Sequence, residues 1–197
     1  MEREHRQLRM VSTTFTAREA GEGEDQGDYI IEGYFAVFGD VYHIDKGMSE
    51  SIAPGAFARS VPNGDVRALV NHDTTLVMGR TKVGTLILRE DDKGLWGRIY
   101  INRNDVDAVS AYQRVKRGDV DGCSIGFDII AEETEVQDNG DVHWTIRDVE
   151  LYEVSICTFP AYEATNVQAR SADRENVLAT RAEAWKEKQK GVLKKWH

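Results

Sequence analysis

The chain has 197 residues, of which 41% are hydrophobic, and its 25 Lys and Arg against 34 Asp and Glu give a formal charge of −9. This length suits one domain with tails, since single domains usually hold about 100–200 residues. The acidic balance argues against nucleic acid as a partner, because phosphate binding requires a basic field. Two cysteines are too few for a disulfide scaffold, and no apolar run approaches the roughly 20 residues of a membrane span. Composition therefore predicts a soluble, cytosolic protein without a membrane partner.

Residues 1–28 are predicted to be a flexible acidic lead-in. Within them, residues 13–28 are rich in Glu, Gly and Thr with few large apolar residues, which fits a mobile segment or an edge strand followed by a loop. The sequence YIIEGYFAVFGD follows from residue 29, and its aromatic and β-branched residues before Gly-Asp are typical of a strand and turn. An irregular stretch, VYHIDKGMSESIAPGAFARS, comes next, with a short helical turn at residues 53–57.

Three further strands are predicted at residues 66–71, 84–90 and 94–102. A helix then begins at a cap on Asn104, carries apolar residues at helical spacing and stops at Gly118. Two long strands end the pattern, CSIGFDIIAEETEV and VHWTIRDVELYEVSICTF, joined through the hairpin signal Asn139-Gly140. The elements predict an α+β, β-rich, barrel-like domain over residues 29–170. Residues 171–197 are predicted to be a polar tail, helical or disordered, with seven basic and four acidic residues and so a charge of +3.

The chain lacks the motifs of nucleotide and metal sites. It has no GxxxxGK[ST] loop and no GxGxxG between a strand and a helix. Its five histidines are scattered, and the cysteines form no CxxC pair. No cofactor and no metal are predicted.

The segment DGCSIGF offers two candidate nucleophiles, Cys123 and Ser124. Neighbouring residues of a strand point to opposite faces, so only one of them can face a given cleft. Gly122 and Gly126 would leave room for a substrate backbone beside Ser124. The same residues also fit an ordinary strand serine whose glycines mark a bulge.

Nucleophilic catalysis needs a base and a third group that orients it. His72 follows the apolar strand RALVN and is the best candidate base, although its residue type equally fits a surface or capping histidine. Strict alternation places Glu153 on one face with Val149, Leu151, Cys157 and Phe159. A carboxylate in such a row must be paired, which indicates either a functional role or a salt bridge at a barrel rim.

Six segments together resemble, in the same order, the tailed-phage (Caudovirales) prohead proteases, the serine proteases of capsid maturation. They are EGYFAVFG from residue 32, ESIAPGAFARS from residue 50, VRALVNHD ending at residue 73, MGRTKVGTLILREDDKGLWGRIYI over 78–101, VKRGDVDGCSIGF over 115–127 and VELYEVSICTFPAYEAT over 149–165. The resemblance implies a fold similar to the herpesvirus assemblins, a β-barrel with surrounding helices.

Carried over residue by residue, the resemblance implies that Ser124 is the nucleophile and His72 the general base. The third catalytic position, a histidine in the assemblins, is most nearly filled by Glu153, 29 residues after the serine, with Asp148 as the fallback. Cys123 replaces a large apolar residue and is expected to face the core. Arg80 is a candidate for the loop that shapes the oxyanion hole, although it also fits a surface arginine.

The resemblance further implies a serine endopeptidase that cleaves scaffold and capsid-protein extension segments, and itself, inside the immature phage capsid in the host cytoplasm. Its partners would be the major capsid protein and scaffold segments. Because assemblin-like barrels tend to dimerise, a homo-oligomer is a candidate assembly. The alternative is a non-catalytic, scaffold-associated capsid assembly protein with the same barrel. A hydrolase of small esters is disfavoured, because the letters GxSxG at residues 122–126 lie in a strand and not at a strand-to-helix turn.

Overall fold

A computed structural model describes residues 7–12, 15–21, 29–158 and 164–193. Within these ranges the chain forms eleven strands, three α-helices and one 3-10 turn at Thr81–Val83. The strands are β1 Gln7–Ser12, β2 Thr16–Glu19, β3 Tyr29–Val37, β4 Tyr42–Asp45, β5 Met48–Ile52, β6 Arg67–Val70, β7 Asp73–Arg80, β8 Leu86–Glu90, β9 Gly94–Ile101, β10 Gly122–Val136 and β11 Val142–Cys157. The helices are α1 Ser60–Asn63, α2 Val106–Arg117 and α3 Ala164–Leu193.

The strands form two sheets and not a closed barrel. Among the described residues, the larger sheet has seven strands in the order β1-β10-β11-β5-β4, with β6 joined to β11 and β7 to β6, and the smaller sheet has the order β2-β3-β9-β8. The 16-residue β11 pairs in parallel with β5 near its start and with β6 near its end. The larger sheet therefore branches at β11 and does not close on itself. The predicted α+β, strand-rich class is confirmed, and the closed barrel is corrected to two sheets.

The hydrophobic core joins both sheets and α2. Its fully buried members from the smaller sheet include Ile31, Phe35 and Leu95, and those from the larger sheet include Ile125 and Val154. Helix α2 contributes a stripe at the spacing of one helix face, namely Ala108, Ala111, Tyr112 and Val115. The functional strands β10 and β11 thus turn one face to a close-packed core, which fixes their register.

Two local predictions differ from the structure. The N-cap of α2 is Asp105 and not Asn104, since the Asp105 carboxylate accepts bonds from two backbone N–H groups of the first turn. The stretch expected to be irregular contains β4 and β5. The sequence pattern did not predict β5, because Glu50 lies on its buried face between Met48 and Ile52. A distant arginine pairs with Glu50 and makes its burial possible.

That arginine is Arg170, which anchors α3 to the larger sheet. Its guanidinium is 2% exposed and lies 3.1 Å from Glu50 and 2.9 Å from Glu132, over the ring of Trp144. Helix α3 runs continuously across residue 170, and the segment expected as a lead-in contributes β1 and β2 to the two sheets. The domain limits at residues 28 and 170 remain predictions.

Candidate active site

His72 lies on a tight turn at the edge of the larger sheet. Strands β6 and β7 are joined by only two residues, Asn71 and His72, and Val70 pairs with Asp73 across the turn. Both turn residues have positive φ, 49° and 62°, which is the pattern of a type I′ hairpin. Asn and His are more frequent there than most residue types, but any side chain in this region costs about 1–2 kcal/mol relative to glycine. The fold thus holds His72 in a conformation that its residue type disfavours, as occurs at functional sites.

The turn is fastened to the end of β11. The Asn71 N–H donates to the carbonyl of Ile156, and the Asn71 side-chain oxygen accepts from the Thr158 N–H at 2.9 Å. The His72 N–H donates to Ser155 Oγ at 3.3 Å. Three bonds join the turn to residues 155–158 at the end of β11, and they place the imidazole above that strand.

The Glu153 carboxylate contacts the His72 imidazole from β11. Its Oε1 lies 2.6 Å from His72 Nδ1, and its Oε2 accepts a 2.6 Å hydrogen bond from Ser155 Oγ. The Glu153 side chain is 1% exposed and that of His72 is 16% exposed. A carboxylate at Nδ1 stabilises the tautomer that carries its proton there, so that Nε2 is left as the basic nitrogen.

A β-bulge in β11 determines the face of the sheet to which Glu153 points. Gly126 of β10 pairs with Glu153, whereas the next residue, Phe127, pairs with Leu151, so β11 has one extra residue at Tyr152. The extra residue reverses the alternation, because directly opposite residues of a ladder share a face. The prediction that Glu153 shares a face with Val149 and Leu151 is therefore wrong, whereas Cys157, predicted on the same face, does share it with Glu153. Phe159, also assigned to that face, lies outside the described residues.

Ser124 shares the face that carries the histidine and the carboxylate. It pairs directly with Ser155, so the Cβ atoms of the two serines stand about 4.5–5.5 Å apart on that face. Ser155 in turn touches both His72 and Glu153. Ser124 has 0% exposure, and its Oγ makes no hydrogen bond. The structure thus brings the predicted serine, histidine and glutamate to one face without a serine–histidine hydrogen bond.

The two cysteines differ in position. Cys123 points to the opposite face, where its thiol lies 3.4 Å from the carbonyl of Tyr34 in the core. Cys157 lies on the face of Ser124, with Sγ 3.8 Å from His72 Nε2. Burial, followed by the nearby Cys123 and Glu153, raises the pKa of the Cys157 thiol to about 12. Because only the thiolate is a strong nucleophile, this thiol is a poor competitor for Ser124.

Two other predicted residues lie outside this cluster. Asp148, the fallback for the third position, accepts from Arg59 Nε at 3.0 Å, so it is Glu153 that the structure places against His72. Arg80, the candidate for the oxyanion loop, forms two bonds of 2.7 and 2.6 Å with Asp65. The Arg80 hydrogen bonds hold the pKa of Asp65 well below its usual range, and Asp65 raises that of Arg80.

Ser155 is the residue of the site that sequence reasoning missed. Its Oγ donates to Glu153 and accepts from the backbone of His72, so it fixes the distance between the carboxylate and the turn. The available signal was its position two residues after Glu153, which places both on one face of a strand.

Metal-ligating clusters and membrane-spanning helices are two other features that bear on function. No group of three or more His, Cys, Asp or Glu side chains converges there as a metal site would require. In the same ranges, no helix is both long enough and apolar enough to cross a membrane.

A serine, a histidine and a carboxylate on one face of a sheet are the components of a serine hydrolase site. The sequence model of one family, the caudovirus prohead serine proteases, matches residues 14–180. The chain therefore belongs to the caudovirus prohead serine protease family.

Two known proteins are similar to the chain. The prohead protease of Enterobacteria phage HK97 is 31% identical over 143 residues, which cover 71% of this chain and 59% of that protein. The chain thus spans about three fifths of the length of this relative. The structure of the bacteriophage T4 capsid assembly protease aligns with 78% of this chain and 99% of its own, at 11% identity and a TM-score of 0.43.

Proposed function

We propose that the chain is a serine endopeptidase of capsid maturation, with Ser124 as nucleophile, His72 as general base and Glu153 as the group that orients the base. The observation that carries this proposal is the 2.6 Å bond between His72 Nδ1 and the buried Glu153, on the face to which Ser124 also points. Family membership supports the reaction class, and the geometry supports the roles of the residues.

In the proposed reaction, Ser124 Oγ attacks the carbonyl carbon of a peptide bond while His72 Nε2 takes its proton. The imidazolium then protonates the departing amine as the C–N bond breaks, leaving an acyl group on Ser124. Water, deprotonated by the same nitrogen, releases the acyl group and regenerates the serine. Throughout, the Glu153 carboxylate keeps the Nδ1 proton in place and stabilises the transient cation.

For this reaction, Ser124 Oγ must come within about 2.6–3.2 Å of Nε2. In this structure, His72 Nε2 lies 3.8 Å from the neutral Cys157 thiol. A thiol is a weak hydrogen-bond partner, so the Ser124 hydroxyl can replace it at Nε2. Gly122 and Gly126 flank Ser124 on its own face, so no side chain of β10 obstructs a substrate backbone there.

The proposed substrates are scaffold segments and the N-terminal extension of the major capsid protein, with cleavage of the chain itself. The proposed place of action is the interior of the immature capsid in the host cytoplasm. Neither nucleic acid nor a membrane is a proposed partner, since the chain carries a net charge of −9. A homo-oligomer is the proposed working assembly.

The test is co-expression with the capsid protein of the same phage, followed by mass spectrometry of both chains. Ser124→Ala should leave the capsid protein and the protease at full length. Ser60→Ala is the matched control, because Ser60 Oγ is also buried without a hydrogen-bond partner but lies in α1. Processing by Ser124→Ala at the rate of Ser60→Ala would overturn the proposal.

A second candidate function is a non-catalytic, scaffold-associated capsid assembly protein. The observation that favours it is the complete burial of Ser124 without a bond to His72. It predicts that wild type and Ser124→Ala support capsid assembly equally and that neither cleaves the capsid protein.

A further inference from the structure

Neither the side chain of Ser124 nor the backbone edge of its strand is open to a substrate. Ser124 has no exposed surface, and the backbone edge of its strand is occupied by a segment from the start of the chain. Strand β1 runs antiparallel to β10 and pairs with Gly122 to Phe127, with Met10 directly opposite Ser124. On its other side β10 is held by β11. A substrate therefore finds no open strand edge beside the serine.

Two features of strand β1 bear on whether a substrate could replace it. Its only ladder partner among the described residues is β10, so it is a terminal edge strand that can leave without breaking another pair. The family match begins at residue 14, so β1 lies before the part of the chain that defines the family. The strand thus lies outside the matched segment, against the edge of the nucleophile's own strand.

That edge has the geometry that cleavage requires. A segment paired with β10 has its carbonyl groups close to the plane of the sheet, because that is the direction of ladder hydrogen bonds. The reactive faces of those carbonyls then point above and below the sheet. Ser124, Ser155 and Glu153 project to one of these sides, and the His72 turn is bound there. A peptide in the place of β1 would present a carbonyl face to the side on which Oγ stands.

We infer that the β10 edge at residues 122–127 is the docking strand for an extended substrate segment, and that β1 is an intramolecular competitor that occupies it. The inference rests on the proposed protease function. Backbone hydrogen bonds supply most of the affinity in this mode of binding, which accepts many sequences. Because β1 is tethered, its effective concentration is in the millimolar range, and a substrate must displace it.

The first experiment compares three proteins: the full chain, a chain lacking residues 1–6 and a chain lacking residues 1–12. The readout is the initial rate of cleavage of denatured, fluorescein-labelled casein. Loss of residues 1–12 should raise kcat/KM about tenfold, which corresponds to about 1.4 kcal/mol of closure by β1. The 1–6 deletion is the matched control, since it keeps β1, and it should match the full chain. Equal rates for all three proteins would overturn the inference.

The second experiment supplies β1 in trans. A labelled synthetic peptide of residues 5–14 should bind the chain lacking residues 1–12, as measured by fluorescence anisotropy, and should inhibit its cleavage of casein. A scrambled peptide of the same composition should do neither. If no protein cleaves casein, binding of the peptide would still support the docking edge, and co-expression with the capsid protein decides the proposed function separately. Absence of peptide binding would overturn the inference whatever the activity.

The third experiment does not depend on how the shortened chain folds. Val11 is directly opposite the native Cys123, so Val11→Cys in the full chain allows a disulfide that ties β1 to β10. Oxidation should lower casein cleavage at least tenfold, and dithiothreitol should restore it. The same variant with Cys123→Ser is the control and should not respond to oxidation. Full activity of the cross-linked protein would contradict the inference.

Discussion

Glu153→Gln is the sharpest perturbation of the proposed catalytic group. It keeps the size of the side chain and removes its charge. The amide cannot reproduce both bonds of the carboxylate, which accepts from Ser155 through Oε2 and faces His72 Nδ1 through Oε1. Either the NH2 group faces Nδ1 and favours the wrong tautomer, or it faces Ser155 and turns that hydroxyl away.

The expected magnitude follows from the geometry. With Nδ1 and Oε1 2.6 Å apart, the centres of the two charges are about 4 Å apart when the imidazole is protonated. At an effective dielectric constant of about 20, this interaction is worth about 4 kcal/mol. It is fully formed only when His72 carries the proton of Ser124, so its loss falls on kcat. Each 1.36 kcal/mol is a factor of ten, so we expect kcat to fall about 10³-fold with little change in KM.

Steady-state cleavage of a peptide from the capsid protein's processed region measures both constants, and thermal unfolding verifies that the variant is folded. Glu150→Gln is the matched control, because Glu150 is on the same strand but pairs with Arg59 at an exposed position. Its kcat should stay within about threefold of wild type, since exposed ion pairs contribute little. A fall in kcat of less than tenfold for Glu153→Gln would refute the role assigned to the carboxylate.

The remaining predictions concern three other buried groups. Ser155→Ala should lower kcat about 10- to 100-fold at unchanged KM and Ser155→Thr should recover part of that loss, whereas equal kcat in all three proteins would remove Ser155 from the site. Because the pKa of Cys157 is raised to about 12, its thiol should not react with a disulfide reagent at pH 8 until denaturant is added. Because this pKa is higher in the folded state, the folded protein binds the Cys157 proton more tightly than the unfolded chain does. The free energy of unfolding should therefore fall as pH rises from about 9 towards 12. A urea midpoint that rises over this range would contradict this prediction. Arg170→Ala should destabilise the protein by about 3–5 kcal/mol, because it removes the guanidinium that pairs with the buried Glu50, and a urea midpoint equal to wild type would show that the pair is dispensable.

The strands and the central helix could be predicted because their patterns are local. Apolar residues at helical spacing and a glycine stop predict helix α2. The pair Asn139-Gly140 predicts the long hairpin of β10 and β11. Strand β5 could not be found in this way, since Glu50 on its buried face is compensated by Arg170, 120 residues further along the chain. A closed barrel could not be told from two sheets, because β11 branches through pairings that no local pattern records.

The same division applies to the site. The sequence by itself determined which residue types were available: a serine between glycines, a histidine at a strand end and an acid in an apolar strand. The tertiary structure decided where they point. The bulge at Tyr152 reverses the alternation that had placed Glu153 with the core residues, and only the pairing of β10 with β11 reveals it. The turn that carries His72 has a histidine at a position that normally favours glycine, so the hairpin gave no local signal. Contacts across 81 residues made the His72–Glu153 pair, and such contacts depend on the packing of the whole chain.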